Sequence, residues 1–314
     1  MGCLPSKSSE ESNSINLQNI QTEFRFIDGR RFHNVENSVY ALPNDDDESD
    51  RLHVQHFLFR YMWQSNFSAP IEHILNDPNT KILDVGCGSA SWSFDMATKY
   101  PLIKVYGLDI SSNQAVSIKP KNFTFVKANV LEGIPFDNDS FDYVFQRHLL
   151  GGYPRVKWPY AINELVRVLK PGGFLEMIEP SMLHNVGPAT NRLYETDKES
   201  MKQRGIDPHI AQKLVEYAQD QGQLENIKKE VRECHYGKKS NDADLKFSKA
   251  AINTIIGMFI GLKSFLIEVL QISSEEYDEL VKESEKELFE YDTYFYQVRV
   301  YANKVVESNS ESTD

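Results

Sequence analysis

The feature that most constrains this chain is a short apolar segment that runs directly into two closely spaced glycines. Lys81–Val85 has the pattern of a buried strand, Gly86 and Gly88 follow it, and Ala90–Tyr100 has the pattern of a helix that stops at Pro101. Glycines are needed at such a turn because a side chain would obstruct both the turn and the approach of a ligand to the backbone. The pattern predicts the first strand-turn-helix unit of a sheet that binds a cofactor at its edge.

The alternation of strand and helix continues through the following eighty or so residues. Further strands are predicted at Ile103–Leu108, Phe123–Lys127, Phe141–Phe145 and Phe174–Ile178, and a helix at Pro159–Leu169. Strands that alternate with helices pair in parallel, so the sequence predicts a doubly wound α/β fold with its core at residues 80–180.

The pattern after Pro180 is less regular. Helical segments are predicted at His209–Gln221 and over most of Leu245–Phe289, and strands at Leu224–Tyr236 and Tyr294–Val300. The two late strands bracket a helical insertion at about 240–290 and complete a mostly parallel, seven-stranded sheet. We expect this insertion to lie over the cofactor cleft.

The domain is expected to span residues 38–304. Near its start, Arg51–Trp63 has an apolar helical face that would pack against the sheet. The flanking segments, 1–37 and 305–314, are predicted to be disordered tails. The apolar stretch Ala251–Leu270 contains Lys263 and Glu268, which favours a buried helix over a membrane span.

Composition narrows the function classes. The 314 residues include 46 acidic and 34 basic side chains, and the formal net charge of −12 opposes association with nucleic acid, which is therefore not expected as a partner. The three cysteines lack the spacing of metal ligands and are too few for a disulfide framework. They favour a reducing compartment, and the sequence predicts no metal site.

The first six residues match the signal for N-myristoylation, with Gly2 as the acceptor once Met1 is removed and Ser6 as the required hydroxyl residue. One myristoyl chain binds membranes only marginally, and Cys3 would supply a second anchor by palmitoylation. This interpretation predicts a cytoplasmic protein held peripherally on the cytosolic face of membranes. The alternative is an unmodified, disordered tail.

Two cofactors compete for the glycine turn. A dinucleotide site would place a third glycine where Ser91 stands, and it would not need an acid at Asp84. S-adenosylmethionine has no pyrophosphate, and it carries a cationic amino group that an acid at the end of a strand can help to hold. Asp84 therefore favours the methyl donor, and Asp109, at the end of the next strand, is placed to bind ribose hydroxyls.

Four segments carry a family resemblance in the expected order and spacing: Lys81–Ser89, Val105–Ser111, Ser140–Val144 and Leu169–Gly173. Together they resemble the class I S-adenosylmethionine-dependent methyltransferases. The flanks, including Tyr40–Asp45, Asp50–His56 and Tyr301–Lys304, are similar to the methyltransferase-like regulators of fungal secondary metabolism. This resemblance covers residues from about 38 to 304.

The resemblance implies a role for individual positions. Asp84 would approach the amino-acid moiety of the donor, and Asp109 would accept bonds from its ribose. Asn129 stands where many members have an acid for the adenine amino group, and Ala90 stands where a glycine is common. The full set of implied donor-binding residues is Asp84, Gly86, Cys87, Gly88, Asp109, Ile110, Asn129, Val130 and Gln146.

Two neighbouring residues have open roles. His148 is a candidate general base, or it packs at the start of a helix. Arg147 is a candidate ligand for a substrate carboxylate, or it pairs with a nearby acid. The predicted function is an active methyltransferase on a small-molecule, lipid or protein acceptor. The alternatives are a regulator that assembles with a protein partner with little or no catalysis, and a binding module whose donor site has decayed.

Overall fold

The computed structural model describes residues 23–112, 119–237 and 242–306. A short hairpin, β1 (Phe24–Ile27) and β2 (Arg30–His33), precedes the main sheet. The sheet contains β3 (Lys81–Val85), β4 (Lys104–Asp109), β5 (Phe123–Lys127), β6 (Phe141–Arg147), β7 (Leu169–His184), β8 (Leu224–His235) and β9 (Tyr294–Lys304).

The seven strands lie in the order β5-β4-β3-β6-β7-β9-β8. The strands from β5 to β7 in this order are all parallel, and β9 runs antiparallel to both β7 and β8. The predicted doubly wound, mostly parallel, seven-stranded sheet is confirmed. The chain leaves β3 toward β4 and β5 and then returns to the other side of β3, so the crevice at the carboxyl ends of β3 and β6 is where such sheets bind ligands.

Seven helices of the described residues cover the sheet. They are α1 (Asp46–Trp63), α2 (Ser91–Lys99), α3 (Trp158–Val168), α4 (Pro188–Gln203), α5 (Ile210–Asp220), α6 (Asp242–Leu270) and α7 (Ser274–Glu290). Residues of α3 and α5 bury one face of the sheet, while α2 packs on the other face. A second core joins α1, α4, α6 and α7.

The sequence pattern did not predict α4. Its first turn is capped from a distant element, because the carboxylate of Glu287 accepts the backbone N–H groups of Ala189 and Thr190 at 3.0 and 2.7 Å. This cap satisfies donors that an isolated helix start would leave unpaired. Because the capping residue lies in α7, the local sequence around residue 188 contains no capping signal that would predict the start of α4.

The hairpin corrects the predicted N-terminal tail, which does not extend over residues 24–33. Asp28 and Gly29 form its turn with φ of 49° and 78°, values that suit an Asp-Gly pair. The guanidinium of Arg30 then donates to both carboxylate oxygens of Asp45 at 2.5 and 2.8 Å. Asp45 in turn caps α1 by accepting from the Glu48 N–H at 3.1 Å. Gly2 and Cys3 lie outside the described residues.

The insertion between β8 and β9 consists of α6 and α7. Residues 245–270 of α6 are long and apolar enough to cross a membrane by length and composition alone, yet half of the most apolar window is buried inside the protein. Phe259 and Leu266 are fully buried against α1 and α7. The helix thus packs as the sequence predicts, but it borders a second cavity, described below, and does not line the cofactor cleft.

Candidate active site

The glycine turn is fixed to the end of β4 by backbone hydrogen bonds. The N–H groups of Gly86 and Cys87 donate to the carbonyl of Leu108 at 2.8 and 3.0 Å. Gly86 has a φ of +67°, and a Cβ there would lie 2.5 Å from a methyl carbon of Leu149. Any other residue here would therefore adopt a strained backbone conformation, and the Leu149 side chain would have to shift to make room for it.

Asp109 holds the same turn from the neighbouring strand. One carboxylate oxygen accepts from the Gly88 N–H at 2.9 Å, and the other accepts from the Ser111 N–H at 2.9 Å. Burial raises the pKa of Asp109, while these backbone bonds oppose the increase. The carboxylate lines the cavity beside the glycine turn, which is where the predicted contact with ribose needs it. It also holds the turn in shape, a role that the sequence did not reveal.

Asp84 and Arg147 place opposite charges in one wall of this cavity. Asp84 is only 4% exposed and accepts a bond from the Ser93 hydroxyl at 2.7 Å. Burial raises its pKa to about 6, and the Ser93 bond and the charge of Arg147 partly offset that rise. Burial lowers the pKa of Arg147 to about 10, so the guanidinium stays charged at neutral pH. A carboxylate and a guanidinium in the same cavity complement the ammonium and carboxylate groups of a zwitterionic amino acid.

The guanidinium of Arg147 also contacts His56, at 3.3 Å from its Nδ1. Burial lowers the pKa of His56 to about 4, so the ring is neutral and accepts this bond at Nδ1. Its Nε2–H is then free to donate to Asp95, 3.3 Å away. Arg147 lines the cavity that also contains Asp84 and the glycine turn, and it does not line the second cavity, which is described below. A carboxylate bound by Arg147 would therefore belong to the donor and not, as predicted, to the substrate.

The first cavity has an empty volume of about 1380 Å³, including its opening to solvent. Most of the predicted donor-binding residues line it, namely Asp84, Gly86, Cys87, Gly88, Asp109, Ile110, Asn129 and Val130. The amide oxygen of Asn129 already accepts from the Leu131 N–H at 3.0 Å, which leaves one lone pair for the predicted adenine contact.

Gln146 is the one predicted donor residue that the structure does not place at the cavity. Side chains alternate along a strand, and Arg147 faces the cavity, so Gln146 faces the opposite side. It is fully buried there, and its amide oxygen accepts from the Tyr153 hydroxyl at 3.3 Å. Its position immediately after a strand core could not distinguish the two faces.

The roof of the first cavity comes from the segment between β2 and α1. The amide of Asn44 donates to the Ser111 hydroxyl and thereby joins this segment to the end of β4. Roof residues outside the predicted domain, His33 and Asn37, were missed, although the Asp28-Gly29 turn signal could have revealed an ordered hairpin before them. The lining residues of this segment are His33, Asn37, Ser38, Val39, Tyr40, Pro43 and Asn44.

A second cavity adjoins the first, with an empty volume of about 870 Å³ that includes its opening. Gln55 and His148 line both cavities, so these two residues form the boundary between them. The walls of the second cavity come from α1, α4 and α6, and they are mainly apolar.

A buried chain of hydrogen bonds fixes the protonation of His148. The indole N–H of Trp63 can only donate, and it lies 2.6 Å from Oε1 of Gln297. This contact orients the amide, so its nitrogen faces Nε2 of His148 at 3.0 Å and donates to it. Burial and the charges of Arg147 and Arg51 hold the pKa of His148 well below its usual value.

His148 is consequently a neutral imidazole with its proton on Nδ1. The lone pair on Nε2 is occupied by Gln297, which argues against the predicted role as a general base. Its φ of +57° places it at a sharp turn after β6, and Phe59 packs against the ring at 4.7 Å between centroids. The ring packs as the alternative expects, but it does so at a turn and not at the start of a helix.

Comparison with known proteins adds independent evidence. Residues 82–173 match the family model described as a methyltransferase domain. The chain is 33% identical over 172 residues to methyltransferase pytC of Aspergillus terreus, covering 54% of this chain and 50% of pytC. It is 30% identical over 152 residues to the secondary metabolism regulator laeA of Aspergillus fumigatus, covering 48% of this chain and 39% of laeA. The chain thus spans half or less of the length of these relatives.

A solved structure of phosphoethanolamine N-methyltransferase 2 from Haemonchus contortus, in complex with S-adenosyl-L-methionine, superposes with a TM-score of 0.47 at 20% identity. The match covers 81% of this chain and 57% of that protein. The family match and the sequence relatives agree with the motifs around the glycine turn. Residues 82–173 are therefore similar to a methyltransferase domain, and the chain resembles the class I S-adenosylmethionine-dependent methyltransferases and the laeA regulators. These matches support S-adenosylmethionine as its cofactor.

Proposed function

We propose that this protein transfers a methyl group from S-adenosylmethionine to an acceptor that occupies the second cavity. The observation that carries the proposal is the meeting of two cavities at Gln55 and His148, one lined by the glycine turn and the other mainly apolar. The donor supplies an activated methyl group on a sulfonium. The protein's main contribution is then to align the acceptor with that group and to exclude water.

The residues of the first cavity fit the donor group by group. Asp84 would bind the cationic amino group, and Arg147 would bind the carboxylate. Asp109 would accept from the ribose, while its existing bonds to the Gly88 and Ser111 N–H groups keep it oriented. These assignments use charges that the fold already holds in place, so little reorganisation accompanies binding.

His148 has a positioning role in this proposal. With Nε2 held by Gln297, its Nδ1–H is the group available to donate a hydrogen bond. A donor at the boundary of the two cavities can orient an acceptor oxygen or nitrogen through its lone pair. Removal of a proton from the acceptor then falls to solvent or to another group.

The first test is calorimetric binding of S-adenosylhomocysteine to the wild type and to Asp109→Ala. We expect micromolar binding by the wild type and a loss of about 1 to 3 kcal/mol in the variant, because charge-assisted hydrogen bonds are removed. Asp137→Ala, at an exposed acid remote from the cavity, is the matched control and should bind as the wild type does. Absence of binding by a folded wild type would refute the donor site.

The alternative function is a methyltransferase-fold regulator or scaffold that works with a protein partner and has little or no catalysis. It is favoured by the name of the laeA relatives, which are secondary metabolism regulators. Transfer of a radiolabelled methyl group to extracted small molecules, lipids or proteins separates the two functions. Donor binding without transfer to any of the three would favour the regulator.

We also propose that the N-terminus anchors the protein on the cytosolic face of membranes, through Gly2 and Cys3. The net charge of −12 opposes adhesion to anionic lipids, so the anchor would depend on the acyl chains. Gly2→Ala should move the protein from the membrane to the soluble fraction of a cell lysate, with loss of radiolabelled myristate. A wild type that incorporates no myristate would refute the anchor.

A further inference from the structure

The second cavity contains one buried carboxyl group that the fold does not explain. Asp197 lies on α4, is 1% exposed and lines the cavity among residues such as Phe59, Ile255 and Met258. Its Oδ1 is buried and has no hydrogen-bond partner among the described residues. A polar atom left unpaired inside a protein is costly, so such an atom calls for an explanation.

Two other buried acids of this protein are satisfied by backbone donors. Glu179, for example, accepts from the N–H groups of Leu149 and Leu150 at 2.8 and 2.9 Å. Glu287 caps α4 in the same manner. The unpaired oxygen of Asp197 is therefore not a general property of buried carboxyl groups in this fold.

The basic side chains that line this cavity or act on Asp197 are engaged elsewhere. The Arg51 guanidinium, in the cavity wall, donates to the carboxylate of Glu48 at 2.6 Å. Arg204 acts on Asp197 electrostatically, but its guanidinium donates to the carbonyls of Val39 and Ser200 at 2.6 and 3.1 Å. Lys198 lines the cavity, and its ammonium group binds the carboxylate of Glu195 at 2.8 Å. Burial raises the pKa of Asp197 to about 6, so the carboxyl group is mostly ionised above pH 7.

We infer that the acceptor is a mainly apolar small molecule that carries a protonated amine, and that Asp197 binds this amine inside the second cavity. The apolar walls remove the hydrocarbon part of such a molecule from water, which is the main source of its affinity. The amine supplies both the hydrogen bond and the charge that Asp197 lacks. Asp197 is accordingly a specificity-determining residue, and the inference rests on the proposed function for the donor cavity.

Three probes of one shape test the inference: 4-phenylbutylamine, 4-phenylbutanol and 4-phenylbutyrate. Each is titrated into the full chain at pH 7.5, with S-adenosylhomocysteine present, and binding is measured by calorimetry. We expect the amine to bind at least tenfold more tightly than the alcohol, and the carboxylate to bind most weakly. Asp197→Asn preserves shape and removes charge, so it should abolish the preference for the amine, while the exposed control Asp137→Asn should preserve it.

The outcomes separate the two proposals. Equal binding of amine and alcohol by the wild type would overturn this inference even if the variant failed to fold. An amine preference that survives in Asp197→Asn would also overturn it, because the charge would then come from elsewhere in the acidic protein. If the wild type fails to bind S-adenosylhomocysteine, the proposed function fails. Normal binding of S-adenosylhomocysteine without amine selectivity means that only the assignment of Asp197 is wrong.

Discussion

The buried carboxylate of Asp84 should reduce the stability of the protein while it serves donor binding. Its pKa rises on folding from 3.8 to about 6. The folded state therefore binds more protons than the unfolded state between these pH values, and stability decreases as pH rises from about 4 to 6. A shift of this size corresponds to about 3 kcal/mol lost at neutral pH relative to acid pH.

Asp84→Asn removes this loss because the amide does not ionise. Its carbonyl oxygen can still accept the bond from Ser93, now 2.7 Å from the carboxylate. We expect the variant to be more stable than the wild type above pH 7 by up to about 3 kcal/mol, with a much smaller gap near pH 4. Donor affinity should change in the opposite direction, by roughly 10- to 100-fold, since a charge-assisted hydrogen bond to the amino group is lost.

The measurement is urea unfolding of both proteins across pH 4 to 8, paired with calorimetry of S-adenosylhomocysteine at pH 7.5. Other buried acids, including Asp109 and Glu179, titrate in both proteins, so the difference between the two curves isolates Asp84. A variant that is no more stable than the wild type at pH 8 would refute the buried-charge argument. Unchanged affinity would refute the assignment of Asp84 to the amino group.

Two further predictions concern the glycine turn and the histidine beside it. Gly86→Ala should weaken binding of S-adenosylhomocysteine at least tenfold, because the new Cβ would lie 2.5 Å from Leu149; Gly88→Ala, also at positive φ but 3.4 Å from its nearest neighbour, should weaken it less. Equal effects would show that the clash does not matter. The imidazole ¹⁵N shifts of His148 should report a neutral ring protonated at Nδ1 at neutral pH, and Gln297→Ala should raise its pKa; a wild-type titration near pH 6.5 would contradict the hydrogen-bond chain.

The parallel core could be predicted from sequence because its signals are local. The strand Phe123–Lys127 is observed with the predicted bounds, and the turn after Val85 has the backbone that its glycines permit. The fifth predicted strand, in contrast, ends at Ile178 in the pattern but runs to His184 in the structure. Its extension pairs with β9 across a register shift, a contact between segments far apart in the chain.

Several site residues depended on tertiary contacts that no local pattern carries. Trp63, Gln297 and His148 lie on three separate elements, and only their packing reveals which nitrogen of the imidazole is protonated. Helix α4, which the sequence pattern did not predict, places Asp197 in the wall of the second cavity. The first turn of this helix is capped by Glu287 of α7, a residue far away in the sequence. Sequence reasoning could not assign these side chains to a common cavity or to one another as partners.

The sequence by itself determined the order of strands and helices in the parallel core, the glycine turn and the two acids at the ends of β3 and β4. These features follow from periodicity and from the conformational freedom of glycine, which act over a few residues. The tertiary structure alone decided which side chains share a cavity, which carboxylates have hydrogen-bond donors and which ring nitrogen of His148 carries the proton. Those properties depend on burial and on hydrogen bonds between distant segments, and these form only when the chain has folded.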